Sequence, residues 1–208
     1  MTMPALAPRM NDPRLVFDEA DHRYMLDGRD LISVTQALTA AGMVDTRHWN
    51  EQARVRGQYV HQCIALETEG DLDETTVDPL VRPYFDAFRT FQRDTRVTLE
   101  IVERRVCDPL LGYAGTLDAI GRWPDKKLTL FDWKSGFFPP MAGPQTAAYL
   151  RCAREFYTTG ERIGRAGLQL RGDGTYRLME FTNIVQDEHD FVAALRVAQF
   201  RRRHDLAA

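Results

Sequence analysis

Between Thr98 and Lys134 three stretches, TLEIVERRV, YAGTLDAIGRW and LTLFDWK, alternate apolar and polar side chains with a period of two. Successive side chains of a strand point to opposite faces, so alternation predicts strands, and the short Pro124–Lys127 segment predicts an antiparallel turn between the last two. A meander of this kind must be covered by other elements, and the flanking sequence supplies them.

Before the meander the period is helical. VFDEADHRYMLDG reads as a short hairpin with Asp27-Gly28 as its turn, and SVTQALTAAG as a short helix capped by Ser33 and stopped at Gly42. Val55, Tyr59, Val60, Ile64 and Leu66 recur at helical spacing between about Thr46 and Glu69, as do Val81, Phe85, Phe88 and Phe91 between Pro79 and Thr95. After the meander, PQTAAYLRCAREFY predicts an amphipathic helix stopping at Gly160, AGLQLRGDGTYRLMEF a hairpin turning at Asp173-Gly174, and DEHDFVAALRVAQFRRRHD a closing helix. The fold class expected is α/β (α+β): a mixed central β-sheet flanked by helices, with a helical N-terminal half. One domain over 1–208 is expected, with 1–14 mobile, 15–96 a hairpin plus helical part, and 97–208 the sheet and its flanking helices.

Composition narrows the function classes. With 208 residues, 44% hydrophobic and 27% charged, the chain can bury a core. No apolar run approaches the roughly 18 to 20 residues of a membrane span, and MTMPALAPRM lacks a secretory apolar segment, so no membrane association and a cytoplasmic location (a host cytoplasm for a viral protein) are expected. Cys63, Cys107 and Cys152 lie far apart without a CxxC pair, which suggests neither a disulfide framework nor a zinc or iron–sulfur site. No GxxxxGK[ST] loop is present, so no nucleotide is expected. The net charge of −3 means that any nucleic-acid binding must be local. Of 27 basic residues only Lys126, Lys127 and Lys134 are lysines, so the lysine in LFDWKSG asks for a reason.

On its strand, Asp132 shares a face with Lys134, Leu128 and Leu130, while Thr129, Phe131 and Trp133 point the other way. Asp118 shares a face with Thr116 and Ile120, and a short turn can bring it beside Asp132. Two carboxylates held together repel unless something positive lies between them, and Mg²⁺ or Mn²⁺ is a natural candidate. A lysine next to such a pair can orient water and steady charge on a phosphate as a compact donor, which the bulkier arginine does not reproduce. An acidic residue, any residue and a lysine is weak as a motif alone, since a strand-end salt bridge accounts for it equally.

The context extends the motif. HRYMLDGRDLISVTQAL, RGQYVHQCIALE, YAGTLDAIG, LFDWKSG and PQTAAYL together resemble, in order, the marks of the PD-(D/E)XK nuclease superfamily, in its RecB-like and phage-type exonuclease branch, over roughly residues 20 to 150. The resemblance implies a restriction-endonuclease-like core and a metal-dependent deoxyribonuclease, an exonuclease acting in recombination, repair or phage DNA processing. It makes Asp118 and Asp132 metal-binding carboxylates, Lys134 the catalytic lysine and His61 a further metal ligand. Gln145 and Tyr149, at i and i+4 on one helix face, are suited to touching phosphate or bracing the active strands. Glu103 resembles an acidic residue often present on the first strand of the meander.

A net-acidic nuclease needs a basic rim, for which Arg56, Arg105 and Arg151 are candidates, with Arg54, Arg104 and Arg154 beside them. Arg201–Arg203 serves equally as a favourable helix end. Phe137 and Phe138 stand just past the catalytic strand and can stack on unpaired bases or pack under the next helix. The expected partner is DNA, with a recombination protein or a second copy of the chain as further partners. Two other readings stay open: a catalytically silent nuclease-fold module that binds DNA or protein, and a structure-selective endonuclease.

Overall fold

The computed structural model describes residues 12–19, 21–44, 50–153, 157 and 161–206. Most of the expected mobile start, the first residues (46–49) of the helix expected from Thr46, Arg154 and the Gly160 stop lie outside them.

The N-terminal part begins with three strands, β1 (Leu15–Asp18), β2 (Arg23–Leu26) and β3 (Arg29–Ser33), paired antiparallel in register Val16↔Met25 and Met25↔Asp30. The expected hairpin is thus a three-stranded meander, with Asp27-Gly28 turning β2 into β3, both at positive φ. The polar Arg29-Asp30 start hid the third strand. Helix α1 (Val34–Ala40) follows at once: Ser33 accepts from Gln36 N while the Gln36 side chain returns to Ser33 N, a capping box. Helices α2 (Glu51–Glu69) and α3 (Arg82–Thr95) come next, α2 capped by Asn50 and closed by Gly70 at φ +80.

The meander is as expected: β4 (Thr98–Asp108), β5 (Tyr113–Arg122) and β6 (Leu128–Ser135), followed by α4 (Ala142–Ala153), β7 (Ile163–Leu170), β8 (Tyr176–Glu180) and α5 (Ile184–Arg203). Along the sheet the order is β1-β2-β3-β5-β6-β7-β8, with β4 on the other edge of β5. The pairs β3–β5 and β6–β7 are parallel, the second joined through α4, and the rest antiparallel, which makes the sheet mixed.

Each sheet face has its own core. Leu128, Leu130, Ile120, Tyr149 and Phe191 belong to the layer with α1, α4 and α5, whereas Phe131, Trp133, Phe85, Phe88 and Phe91 belong to the layer with α2 and α3. Helix α4 departs from the amphipathic expectation. Every residue from Ala142 to Ala153 except Arg151 is buried, because the helix lies between the sheet and α5, and its small Ala142, Gly143, Ala147 and Ala148 let both neighbours approach.

Candidate active site

The site grows from a fork in the sheet. Strands β5 and β6 pair only from Ala119↔Phe131 to Arg122↔Leu128. On that same edge of β5, β3 pairs only at Tyr113 and Ala114. Between these two partners, from Gly115 to Asp118, no strand among the described residues pairs with that edge. The Asp118 carboxylate enters the gap and its Oδ2 accepts from Trp133 N at 2.7 Å, replacing the ladder carbonyl that β5 would otherwise offer.

Asp132 sits as the alternation predicts, in the row of Leu128 and Leu130, and is 1% exposed. Its Oδ1 accepts from Lys134 Nζ at 2.7 Å, while its Oδ2 is buried with no partner. Asp118 is placed differently from expectation. Leu117 and Ile120 pack in the same core layer, and Thr116 turns instead to Tyr24, with hydroxyls 2.9 Å apart. The alternation therefore slips by one residue at Asp118, next to Glu103 on β4, whose φ of +46 lies in the left-handed region. That backbone departure costs on the order of 1–2 kcal/mol for a non-glycine residue, and such departures collect at functional sites.

The slip brings Glu103 into the centre of the group. His61, from α2, places Nδ1 2.9 Å from Glu103 Oε1 and 3.7 Å from Asp118 Oδ1, with Nε2 3.3 Å from Trp133 O. One ligand atom from each of His61, Glu103 and Asp118 lies within 4.8 Å of the others, close enough to share one ion. Burial pushes the Asp132 carboxyl up to about 6, the Asp118 charge adding to it and Lys134 opposing. Burial likewise raises Asp118. For His61 burial disfavours the cation, yet the fields of Asp118 and Glu103 outweigh it and hold the imidazole at about 9. Lys134 follows the same logic, with Asp132 and Asp118 overcoming burial to raise it. Burial drives the two aspartate shifts, while the histidine and lysine shifts report the acidic field around them.

Helix α4 roofs the pocket. Gln145 Nε2 donates to Tyr149 OH at 3.4 Å, and Gln145 Oε1 is buried without a donor. The Tyr149 ring lies against Gly115, where a Cβ would stand 2.6 Å from Cε1, so this strand glycine gives the ring its space. Burial raises the Tyr149 phenol well above its ordinary value, with Asp118, Tyr24 and Asp132 adding to it.

The candidate rim divides. Arg56 is held at the end of β6, its Nη2 donating to Ser135 O at 3.0 Å and its guanidinium centred 4.5 Å over the Tyr84 ring. Arg105, on β4 opposite Thr116, lies 5.5 Å over Phe17. Arg151 is bound away from the cluster: Nε donates to Asp108 at 2.7 Å and Nη1 to Glu188 at 2.8 Å. Arg201 donates to Ala40 O at 2.7 Å and Arg202 pairs with Asp30, so this part of the run ties α5 to the end of α1 and to β3. Sequence reasoning gave no role to Trp133, whose backbone N and O both serve the site, nor to Gly115. A glycine inside an alternating strand was the available signal for the latter.

The architecture is similar to that of a solved structure. A candidate exonuclease from Eubacterium rectale, 15% identical, matches with a TM-score of 0.54 over 82% of this chain and 82% of its own. An alkaline exonuclease from Laribacter hongkongensis is 15% identical over 85% of this chain and 95% of its own, at a TM-score of 0.36. The same enzyme solved with dAMP gives 13% identity, the same coverages and a TM-score of 0.37; scores this low carry no argument. No family model and no curated protein matches the sequence. At its level of identity the first likeness shows the fold alone: the chain shares the mixed α/β architecture of that solved structure. No helix among the described residues is long and apolar enough to cross a membrane.

Proposed function

We propose that this chain is a divalent-metal-dependent deoxyribonuclease that hydrolyses DNA phosphodiester bonds from an end. One observation carries the reading: the buried, unpartnered Oδ2 of Asp132 in a pocket that also holds Asp118, Glu103 and His61. With His61 neutral, as a metal ligand must be, three carboxylates against one lysine leave two negative charges, which one dication cancels. Buried polar atoms without partners are rare, and an anionic one points to a cation. The donors, mostly carboxylate oxygens with one imidazole, suit Mg²⁺ or Mn²⁺.

Asp118, Asp132, Glu103 and His61 would hold the ion, with the Trp133 carbonyl beside them. When bound, it supplies acidification of water and neutralisation of charge on the phosphate oxygens. The remaining work belongs to the chain. Lys134, fixed by Asp132, presents ammonium protons where the pocket opens and can hold a water or a phosphate oxygen. The Trp133 carbonyl, 3.3 Å from Nε2, would fix the tautomer of His61 and leave Nδ1 facing Glu103 and Asp118 for the ion. Gln145 and Tyr149 close the roof, and the free Gln145 Oε1 can accept from water brought in with the substrate. Arg56, beyond the end of β6, offers a fixed cation to a neighbouring phosphate.

The test is incubation of linear end-labelled DNA with Mg²⁺, with Mn²⁺ and with chelator. Cleavage that needs the metal and disappears in Asp132→Ala is expected. Metal-independent cleavage, or full activity in that variant, overturns the reading, and Mn²⁺ binding without any cleavage would favour a silent binding module.

A further inference from the structure

Past the ends of β6 and β7 the chain builds a polar surface outside the carboxylate cluster. Arg56, on α2, and Tyr84, in the first turn of α3, meet there, with the guanidinium centred 4.5 Å over the ring. Two glycines floor the pair. A Cβ on Gly172, two residues past β7, would stand 3.1 Å from the Tyr84 hydroxyl, and one on Gly136, just past β6, would stand 3.3 Å from Arg56 Nη2. Gly136 takes φ +106, a conformation that side-chain-bearing residues rarely adopt. Its N donates to Leu170 O at 3.0 Å, which ties the ends of the two strands together at this point.

The donors of the pair are only partly spent. Arg56 Nη2 donates to Ser135 O at 3.0 Å and Nε is buried without a partner, whereas Nη1 is neither buried nor bonded to a described residue. The Tyr84 hydroxyl is likewise unburied and makes no hydrogen bond among the described residues. Neither a carbonyl nor a ring neutralises the Arg56 charge. Arg171, beside Gly172, forms no ion pair with a described residue, and the neighbouring Asp173 carboxylate is taken up by Thr175 N at 2.9 Å and Oγ1 at 2.7 Å. Open N–H and O–H donors, unmatched positive charge and bare backbone together suit an anion with several acceptor oxygens, which a phosphodiester is. Arg56 precedes His61 by five residues on α2, a rise of about 7.5 Å, or roughly two nucleotides of duplex at 3.4 Å each.

We propose that Arg56 and Tyr84, over Gly136 and Gly172, form a site for one backbone phosphate roughly two nucleotides from the scissile bond, which positions the strand across the carboxylate cluster. The proposal rests on the nuclease reading of that cluster and adds Tyr84 and the glycine floor as the means by which the strand is held.

The experiment measures binding, in chelator, of a short DNA strand, alone and annealed to its complement. A single phosphate is replaced by an uncharged methylphosphonate, position by position from the end, and cleavage is assayed separately in Mg²⁺. In the native chain one position should cost about tenfold in affinity, the scale of a hydrogen bond to a charged group. Tyr84→Phe keeps the ring under Arg56 and removes only the hydroxyl. It should bind the unmodified DNA about tenfold more weakly and respond severalfold less to that position. Gly172→Val changes no charge and no donor, and should give the same two losses by covering the site. Melting curves on the same preparations show that each variant is folded. A position effect as large in both variants as in the native chain overturns the proposal, as does a scan in which neither form of the DNA has a sensitive position. Cleavage in Mg²⁺ without any effect of Tyr84→Phe or Gly172→Val removes the phosphate site alone. A position effect that both variants weaken, without cleavage, sustains the site and removes the nuclease reading.

Discussion

Asp132 is the residue on which stability and function pull apart. Its carboxylate is buried beside two other acids, with one oxygen bonded to Lys134 and the other to nothing. Asp132→Asn keeps the volume and an acceptor for the lysine while removing a like charge. The metal-free variant should therefore melt higher than the native chain, by on the order of 1 kcal/mol, since a single pKa unit of interaction is worth about that much. The same change should lower metal-dependent cleavage by about a hundred- to a thousandfold, the scale found when one electrostatic group at a reacting centre is removed. Melting curves with and without Mn²⁺ check both: saturating ion should raise the native midpoint and scarcely move the variant. Glu103 was harder to read. Its sequence neighbours Arg104 and Arg105 suggest local charge balance, and only the left-handed backbone at Glu103 turns the carboxylate toward His61. Glu103→Gln should weaken Mn²⁺ binding by about ten- to a hundredfold or more in calorimetry, because a charged oxygen donor beside His61 and Asp118 becomes a neutral one.

At the scale of elements, periodicity served well where each strand kept its register. Leu128, Leu130 and Asp132 face one layer and Phe131 and Trp133 the other, as LTLFDWK predicts. It failed at Asp118, because a backbone slip next to Glu103 leaves no mark in the apolar pattern. It failed for α4 too, where Gln145 and Thr146 look like an exposed polar face and are instead buried, Gln145 beside Tyr149 and Thr146 against Arg165. The strand glycines carry information that period does not. Gly115→Ala would set a methyl 2.6 Å from the Tyr149 ring, forcing the ring off Gly115 or β5 away from α4. Such overpacking costs about 1–3 kcal/mol, so the midpoint should fall while far-ultraviolet circular dichroism stays native. Cleavage should fall further than the stability loss accounts for, and equal activity at equal folded fraction would refute the role given to the α4 roof.

Across the whole molecule the electrostatic problem for the proposed activity is that DNA would have to approach a chain of net charge −3 whose carboxylate cluster is itself acidic. Long-range steering is then weak, and affinity must come from a few cations fixed close to the site. The two helical layers meet at the fork, His61 arriving from α2 and Tyr149 from α4, so the nearby cations matter by where their side chains are tied rather than by their place in the sequence. Arg56 and Arg151 look alike as candidates in the sequence and differ in this respect. Arg56 is tied to a carbonyl and a tyrosine face, neither of which neutralises its charge, whereas Arg151 is matched by Asp108 and Glu188. Arg56→Ala should weaken DNA binding and reduce the slope of log affinity against log salt by about 1, the signature of one lost phosphate contact. Arg151→Ala should leave that slope alone and lower stability by about 1–3 kcal/mol, because the largely buried Asp108 loses its partner. Titrations at several salt concentrations, with melting curves on the same preparations, separate the two. A reduced slope in Arg151→Ala would mean that its ion pairs open to receive DNA and that the rim extends along α4.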